Sequence, residues 1–291
     1  MEVVLAVDIG GTKLAAGLVD EKGEVVASAQ APTPATDDAD VLFSVLLAVV
    51  DSVGGNGDVV GCGVGCGGPM TSGGDTVSPL HLPAWRDFPL QPKLAEATGL
   101  ATFVDNDAKA LALGEGWCGA AAGVSDFLAV LVSTGVGGGI VLDGGLLDGA
   151  GGNAGHIGHV VVEPDGAPCR CGGKGCLEAE ASGAAIAAAT GRPAEEAGPE
   201  VVERTGRLVG RAIASVANLL DLRLAVVAGG VAVGFGEPFL AAARAEIGAR
   251  ARLDFSRGTE IVPAGLGAHT HLVGAGAVAW RGLGHRVAGR L

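Results

Sequence analysis

Three cysteines fall within eight residues in CRCGGKGC, at Cys169, Cys171 and Cys176, and His159 stands ten residues before the first of them. Cys169 and Cys171 are too close along the chain to bridge comfortably, while Gly172, Gly173 and Gly175 let the backbone turn before Cys176. Three thiolates and one imidazole are four soft or borderline ligands, the number that closes a tetrahedral zinc site. A redox thiol or buried, unligated cysteines are the other readings of the same residues. Cys62, Cys66 and Cys118 show no such spacing and read as small core residues.

A second set of residues suits phosphate chemistry. DIGGTK, Asp8 to Lys13, brings backbone N–H groups without side-chain bulk together with a hydroxyl, an ammonium and a carboxylate. Such a turn can wrap a phosphate, and Asp8 can hold a hydrated Mg²⁺; an ordinary hairpin turn is the plainer reading. STGVGGG, Ser133 to Gly139, offers the same chemistry again. In DND, Asp105 to Asp107, a carboxylate at the end of a strand and the start of a helix can accept a proton from a bound hydroxyl. Helix capping by Asn106 or Asp107 explains those residues equally well. AGG, Ala228 to Gly230, ends an apolar run where α/β folds commonly place ligands. The Gly61 to Gly68 run has the spacing GxGxGxGG and no acidic helix after it, which argues against a dinucleotide fingerprint.

The elements that must position these groups repeat. VVLAVDIGGTKLAAGLVDEKGEVV predicts two strands joined by a Gly-Gly turn and a third strand after Glu21 to Gly23, a β-meander. VLFSVLLAVVDSV predicts a helix over 41–53, VVGCGVGCGG a buried strand, and Leu90 to Thr98 a short helix. LAVLVSTGVGGGIVLDG then repeats the plan of LAVDIGGTKLAAGLVD, as if one hairpin module occurred twice. Val209, Ile213, Val216 and Leu220 recur at helical spacing, and LAVVAGG gives another buried strand.

With 291 residues the chain sits near the length at which one core splits into two. MEVVLAVDIGG has neither the basic start nor the cleavage site of a secretory signal, and the apolar runs are too short for a bilayer, so a soluble cytoplasmic protein with no membrane partner is expected. A formal charge of −13 without a Lys/Arg cluster argues against nucleic acid as partner.

Taken together, DIGGTK, DNDAKALALGE, STGVGGG, GHIGH and CRCGGKGCLE, in this order from about Val3 to Ala279, resemble the ROK family of sugar kinases and repressors. The resemblance implies two ribonuclease H-like α/β domains of the actin and hexokinase superfamily with an active site in the cleft between them. The expected division is 1–115 and 116–279, with a zinc loop at 156–178 and a last helix, about 280–291, returning to the first domain. It implies that Gly10, Gly11, Thr12 and Lys13, with Thr134, Gly135 and Gly137, surround the phosphates of ATP, that Asp8 serves its Mg²⁺, and that Gly229 and Gly230 lie near the nucleoside. Asp107 matches the catalytic base. Gly67, Gly68, Asn106, His156, His159 and Glu178 match the sugar side, and His159, Cys169, Cys171 and Cys176 the ligands of a structural Zn²⁺.

The implied activity is ATP-dependent phosphorylation of the 6-hydroxyl of glucose or a related hexose or hexosamine, by a dimer or tetramer. N-acetylmannosamine or a cyclitol is the alternative substrate. Two departures bear on the sugar: His156 stands where sugar-binding members often have Glu, and His81 where they often have Asn. A carboxylate accepts two hydroxyls, whereas a neutral imidazole offers one donor and one acceptor. HxGH also occurs in bacterial kinases of N-acetylmannosamine. Family repressors carry a helix-turn-helix before the first strand; here that strand begins at residue 3, which with the acidic charge makes regulation the weaker reading. A kinase-shaped binding protein that has lost catalysis is a third.

Overall fold

The structure is a computed structural model and describes residues 1–54 and 57–287. The chain forms two compact units, one from Met1–Ser125, Gly144–Ala154 and Gly265–Leu291, the other from Asp126–Asp143 and Gly155–Ala264.

In the first unit β1 (Glu2–Ile9), β2 (Lys13–Asp20) and β3 (Val25–Pro32) form the antiparallel meander expected from the turn residues. β4 (Asp58–Cys66) pairs in parallel with β1, and β5 (Thr102–Asn106) in parallel with β4, giving the order β3-β2-β1-β4-β5. β1 is apolar on both faces because both are covered; β3, at the edge, alternates. Helix α1 (Ala39–Asp51) starts where the Asp38 side chain accepts from the Asp40 and Val41 N–H groups, and buries Leu42, Phe43, Leu46 and Val49. α2 (Leu90–Thr98) leads into β5, and α3 (Asp107–Cys118) leaves it without a loop.

In the second unit the same plan recurs. β6 (Phe127–Val132) pairs antiparallel with β7 (Val136–Leu142) and parallel with β9 (Leu224–Ala228), which pairs parallel with β10 (Glu260–Pro263). The order β10-β9-β6-β7 repeats β5-β4-β1-β2, so each hairpin borders a parallel pair in the same way; the two-residue strand β8 (Gly145–Leu146) falls among the residues of the first unit. The unit's helices are α4 (Leu177–Ala181), α5 (Gly183–Thr190), α6 (Pro199–Leu220) and α7 (Gly230–Arg250). On α6 Val209 and Ile213 are fully buried and Val216 and Leu220 pack at the margin of the core.

The division differs in detail from one at 115/116, because α3 runs unbroken to Cys118. The helix that returns to the first unit is α8 (Thr270–Gly282); of the stretch expected as a helix at 280–291, residues 288–291 lie outside the described residues. α8 reaches the sheet because its neighbours lack side chains: a β-carbon on Gly63 would lie 2.0 Å from the Ala275 carbonyl oxygen, and one on Gly274 2.7 Å from that of Ala110 on α3. Cys118 departs from the sequence reading. Cys62 and Cys66 are buried in β4, but Cys118, in the last turn of α3, is exposed. No helix among the described residues is long and apolar enough to cross a membrane.

Candidate functional site

In the first unit the candidate groups meet at the carboxyl ends of three parallel strands, where open α/β sheets place ligands. Asp8 on β1 stands in register with Gly65 on β4, and Gly65 with Asp105 on β5. Gly65 leaves the gap between two carboxylates open: a β-carbon there would lie 3.7 Å from Asp107 Cα and 3.8 Å from Asp8 Oδ1. Burial, then the Asp107 charge, pushes the Asp8 carboxyl up to about 7, against the opposing pull of Lys13. The same surroundings, burial first and then Asp107 and Asp8, push the Cys66 thiol well above its usual range.

The structure realises the capping reading of DND and places Asp107 at the head of the helix. Asn106 is the cap of α3, its side-chain oxygen accepting from the Ala108 N–H at 3.0 Å. Asp107 is the first helical residue and accepts from the same N–H at 2.8 Å, in the field of the helix's positive end.

The turn from Asp8 to Lys13 is pinned through its backbone. The Gly10 N–H donates to the Lys13 carbonyl at 3.0 Å, the Thr33 hydroxyl to the Gly10 carbonyl at 2.8 Å, and the Thr33 N–H to the Thr12 carbonyl at 3.1 Å. His81 lies against it, since a β-carbon on Gly11 would come within 3.1 Å of the His81 β-carbon. The Gly67 to Pro69 segment runs beside the stretch that carries His81, with the Leu80 N–H donating to the Gly68 carbonyl at 3.2 Å. His81, Gly11, Gly67 and Gly68 are thus near neighbours, as are Asp8 and Asp107.

In the second unit the turn between β6 and β7 is held from the start of α5, with the Gly183 N–H donating to the Ser133 carbonyl at 2.8 Å and the Ala184 N–H to that of Thr134 at 3.2 Å. Glu178 reaches the far side of this turn and accepts from the Val136 N–H at 3.0 Å. Gly229 ends β9 with φ +100°, and a β-carbon there would lie 2.2 Å from the Val132 carbonyl oxygen, so only glycine serves. In the GHIGH stretch the rings of His156 and His159 stack with centroids 5.9 Å apart.

The four sulfur and nitrogen ligands come together. One ligand atom each from His159, Cys169, Cys171 and Cys176 lies within 4.8 Å of all the others. A tetrahedron with metal–ligand bonds of about 2.3 Å has edges of roughly 3.8 Å. The Cys171 to Cys176 sulfur separation is 3.8 Å, and His159 Nδ1 stands 3.6 Å from Cys169 Sγ. A bond from the Gly173 N–H draws the Cys171 thiol down, whereas burial and the two neighbouring sulfurs push Cys176 up to about 12. Thiols this crowded resist ionising together unless a cation joins them, so the donor set fits Zn²⁺. Two arginines of α6 brace the loop: Arg204 pairs with Glu180, which accepts from the Ala167 N–H, and Arg211 donates to the Val162 carbonyl and to Glu163.

The model of the ROK family matches residues 4–281. This chain belongs to the ROK family. The N-acetylmannosamine kinase of Citrobacter koseri is 38% identical over 258 residues, 82% of this chain and 87% of that protein. The glucokinase of Halalkalibacterium halodurans is 41% identical over 191 residues, 63% of this chain and 57% of that one. A ROK family glucokinase from Streptomyces griseus, solved in complex with glucose and AMPPNP, matches with a TM-score of 0.85 at 32% identity, covering 96% of this chain and 99% of that chain. The two five-stranded mixed sheets are the α/β plan of these ROK structures.

Two residues escaped the sequence reading, one inside a ROK motif and one outside them. Lys109, in the first turn of α3 and 2% exposed, bonds Asp105 and Asp148 at 2.8 Å each and the Gly152 carbonyl at 3.1 Å. A lysine four residues after an aspartate in an apolar helix was its signal. His271 lies 3.3 Å from the Lys13 ammonium across 258 residues of chain, and nothing local marks it.

Proposed function

We propose that this protein is an ATP-dependent kinase of the 6-hydroxyl of glucose or a related hexose or hexosamine. The observation that carries the reading is the placement of Asp107 at the head of α3, beside Asp8 across the side-chain-free Gly65. Asp107 is the base: it accepts the proton of the sugar hydroxyl as that oxygen attacks the γ-phosphorus of ATP in line. Asn106, Gly67, Gly68, His156, His159 and Glu178 form the sugar side. The Gly10 to Lys13 turn and the Thr134 to Gly137 turn offer N–H groups to the phosphates, with Gly229 and Gly230 near the nucleoside. Mg²⁺, when bound to the nucleotide, supplies positive charge at the transferred phosphate, and Asp8 is the carboxylate of this chain that meets its water shell. His159, Cys169, Cys171 and Cys176 would hold Zn²⁺, which would order the loop that carries His159 and leads into Glu178. The same reading makes the protein a cytoplasmic homo-oligomer, a dimer or tetramer, which sedimentation can decide.

N-acetylmannosamine is the second reading for the acceptor. His156 in place of a carboxylate and the likeness to the Citrobacter koseri N-acetylmannosamine kinase favour it. Incubation with ATP, Mg²⁺ and a panel of glucose, mannose, N-acetylglucosamine, N-acetylmannosamine and cyclitols, with ADP release followed, decides both points. Turnover on a hexose or hexosamine that vanishes in Asp107→Asn is expected. Silence across the panel, or full activity in Asp107→Asn, refutes the kinase reading.

A further inference from the structure

The bonds that pin the Asp8 to Lys13 turn are all made by its backbone, to Thr33 and within the turn, and they leave the end of the Lys13 side chain undetermined. A four-carbon stem with a point charge can point many ways. The ammonium lies 3.3 Å from His271 Nε2, brought in from the first turn of α8, and its charge also acts on Asp8. An ammonium has only protons to give, so the imidazole nitrogen accepts. We propose that His271 is a positioning residue for the nucleotide, holding the Lys13 ammonium at the phosphate turn through a neutral acceptor. The inference rests on the reading of Lys13 as a phosphate-binding residue.

The choice of partner has a chemical reason. An aspartate at the same place would also orient the ammonium, but as an ion pair it would cancel the charge that attracts a triphosphate. A neutral ring orients without cancelling. Several features keep the ring neutral: burial, then the nearby charges of Lys13 and His269, push it down to about 4, and the start of α8 disfavours a cation as well. His269 is exposed and stands at the cap of the same helix, so Lys13 from β2 and a second imidazole at the helix end both lie near the ring.

Calorimetric titration with MgAMPPNP, which needs no sugar, measures the effect directly. His271→Phe and His271→Asp are each expected to weaken binding on the order of tenfold, about what one hydrogen bond to a charged group supports, while His271→Gln, a neutral acceptor, stays within about twofold. In a Lys13→Met background His271→Phe should cost nothing further, since the effect runs through the ammonium. Unchanged affinity in His271→Phe, equal losses in His271→Gln and His271→Asp, or additive losses in the double variant would each overturn the inference. Should His271→Phe fail to fold, the contrast between Asp and Gln still decides it. If Lys13→Met itself binds MgAMPPNP as the parent does, the phosphate reading of Lys13 fails; if Lys13→Met weakens binding and the His271 variants do not, only this inference fails.

Discussion

Replacing Lys109 by methionine keeps the length of the side chain on α3 and removes its charge. The ammonium is held by Asp105 and Asp148 at 2.8 Å and by the Gly152 carbonyl at 3.1 Å, with side-chain exposures of 3% for Lys109, 13% for Asp105 and 51% for Asp148. Breaking a fully buried pair from one side costs about 3–5 kcal/mol, because the remaining charge is left without a partner or water. Two features reduce that here. Asp148 is half in solvent and keeps Arg281 at 3.3 Å, and Asp105 retains the same guanidinium at 3.8 Å. A cost of about 2–4 kcal/mol at pH 7 is therefore expected, nearly all of it from Asp105. Burial already raises the Asp105 carboxyl, with Lys109 the main opposing influence, so the variant raises it further. An acid whose folded pKa is raised destabilises the fold increasingly as pH climbs from its unfolded value to its folded one, and the penalty must shrink on acidification as Asp105 takes up a proton.

All three tryptophans, Trp85, Trp117 and Trp280, belong to the first unit, so urea unfolding followed by their fluorescence reports on the unit that holds Lys109. Adding Asp105→Asn to Lys109→Met removes the orphaned charge and should recover at least about half of the loss. A loss under about 1 kcal/mol at pH 7, or a second substitution that only adds to it, would refute the idea that Lys109 answers the Asp105 charge.

Other outcomes follow from the same geometry. Metal analysis of protein purified without added metal should find about one zinc per chain, and Cys171→Ser should lose it together with thermal stability; a metal-free, fully stable and active variant would remove the structural role. With Asp8 raised to about 7, binding of Mg²⁺-ATP at pH 7 should release about half a proton, seen as heats that vary with buffer ionisation enthalpy. Without nucleotide, Asp8→Asn should melt higher than the parent at pH 8 and equal to it near pH 4, since ionising the buried Asp8 opposes folding only above its unfolded range; the reverse order would contradict the assignment. Gly229→Ala combines φ +100° with a β-carbon 2.2 Å from the Val132 carbonyl oxygen and should cost several kcal/mol, roughly 3 or more, or prevent folding. A soluble variant with the parent's melting point would show that the turn has another conformation open to it.

Much of the fold was legible because its signals are local. The Gly-Gly and Lys22–Gly23 turns between apolar runs announce the meander, and the same pattern repeated at Leu128 to Gly144 announces the second sheet. The convergence of His159, Cys169, Cys171 and Cys176 was legible for a similar reason: three of the four fall within eight residues, and glycines between them allow the chain to close. DND could be read as a cap or as a base, and only the folded chain shows Asn106 capping while Asp107 stands beside Asp8. That neighbourhood depends on the register of β1, β4 and β5, which segments separated by helices do not disclose.

From its residues alone this protein has its motifs, their order, the repeated hairpin and a cysteine cluster suited to metal, all encoded by patterns a few residues long. The tertiary structure decided which distant groups complete them. It brings His271 to Lys13, seats Asp148 on Lys109, and lets Glu115 accept from Gly265 and Leu266, contacts that span 39 to 258 positions. These depend on close approach, of α8 to β4 at Gly63 and of α8 to α3 at Gly274, where a side chain would not fit. An absent side chain leaves little trace of what packs against it until the chain is folded. For the same reason the groups that reach Lys13 and Lys109 emerge only from the folded chain.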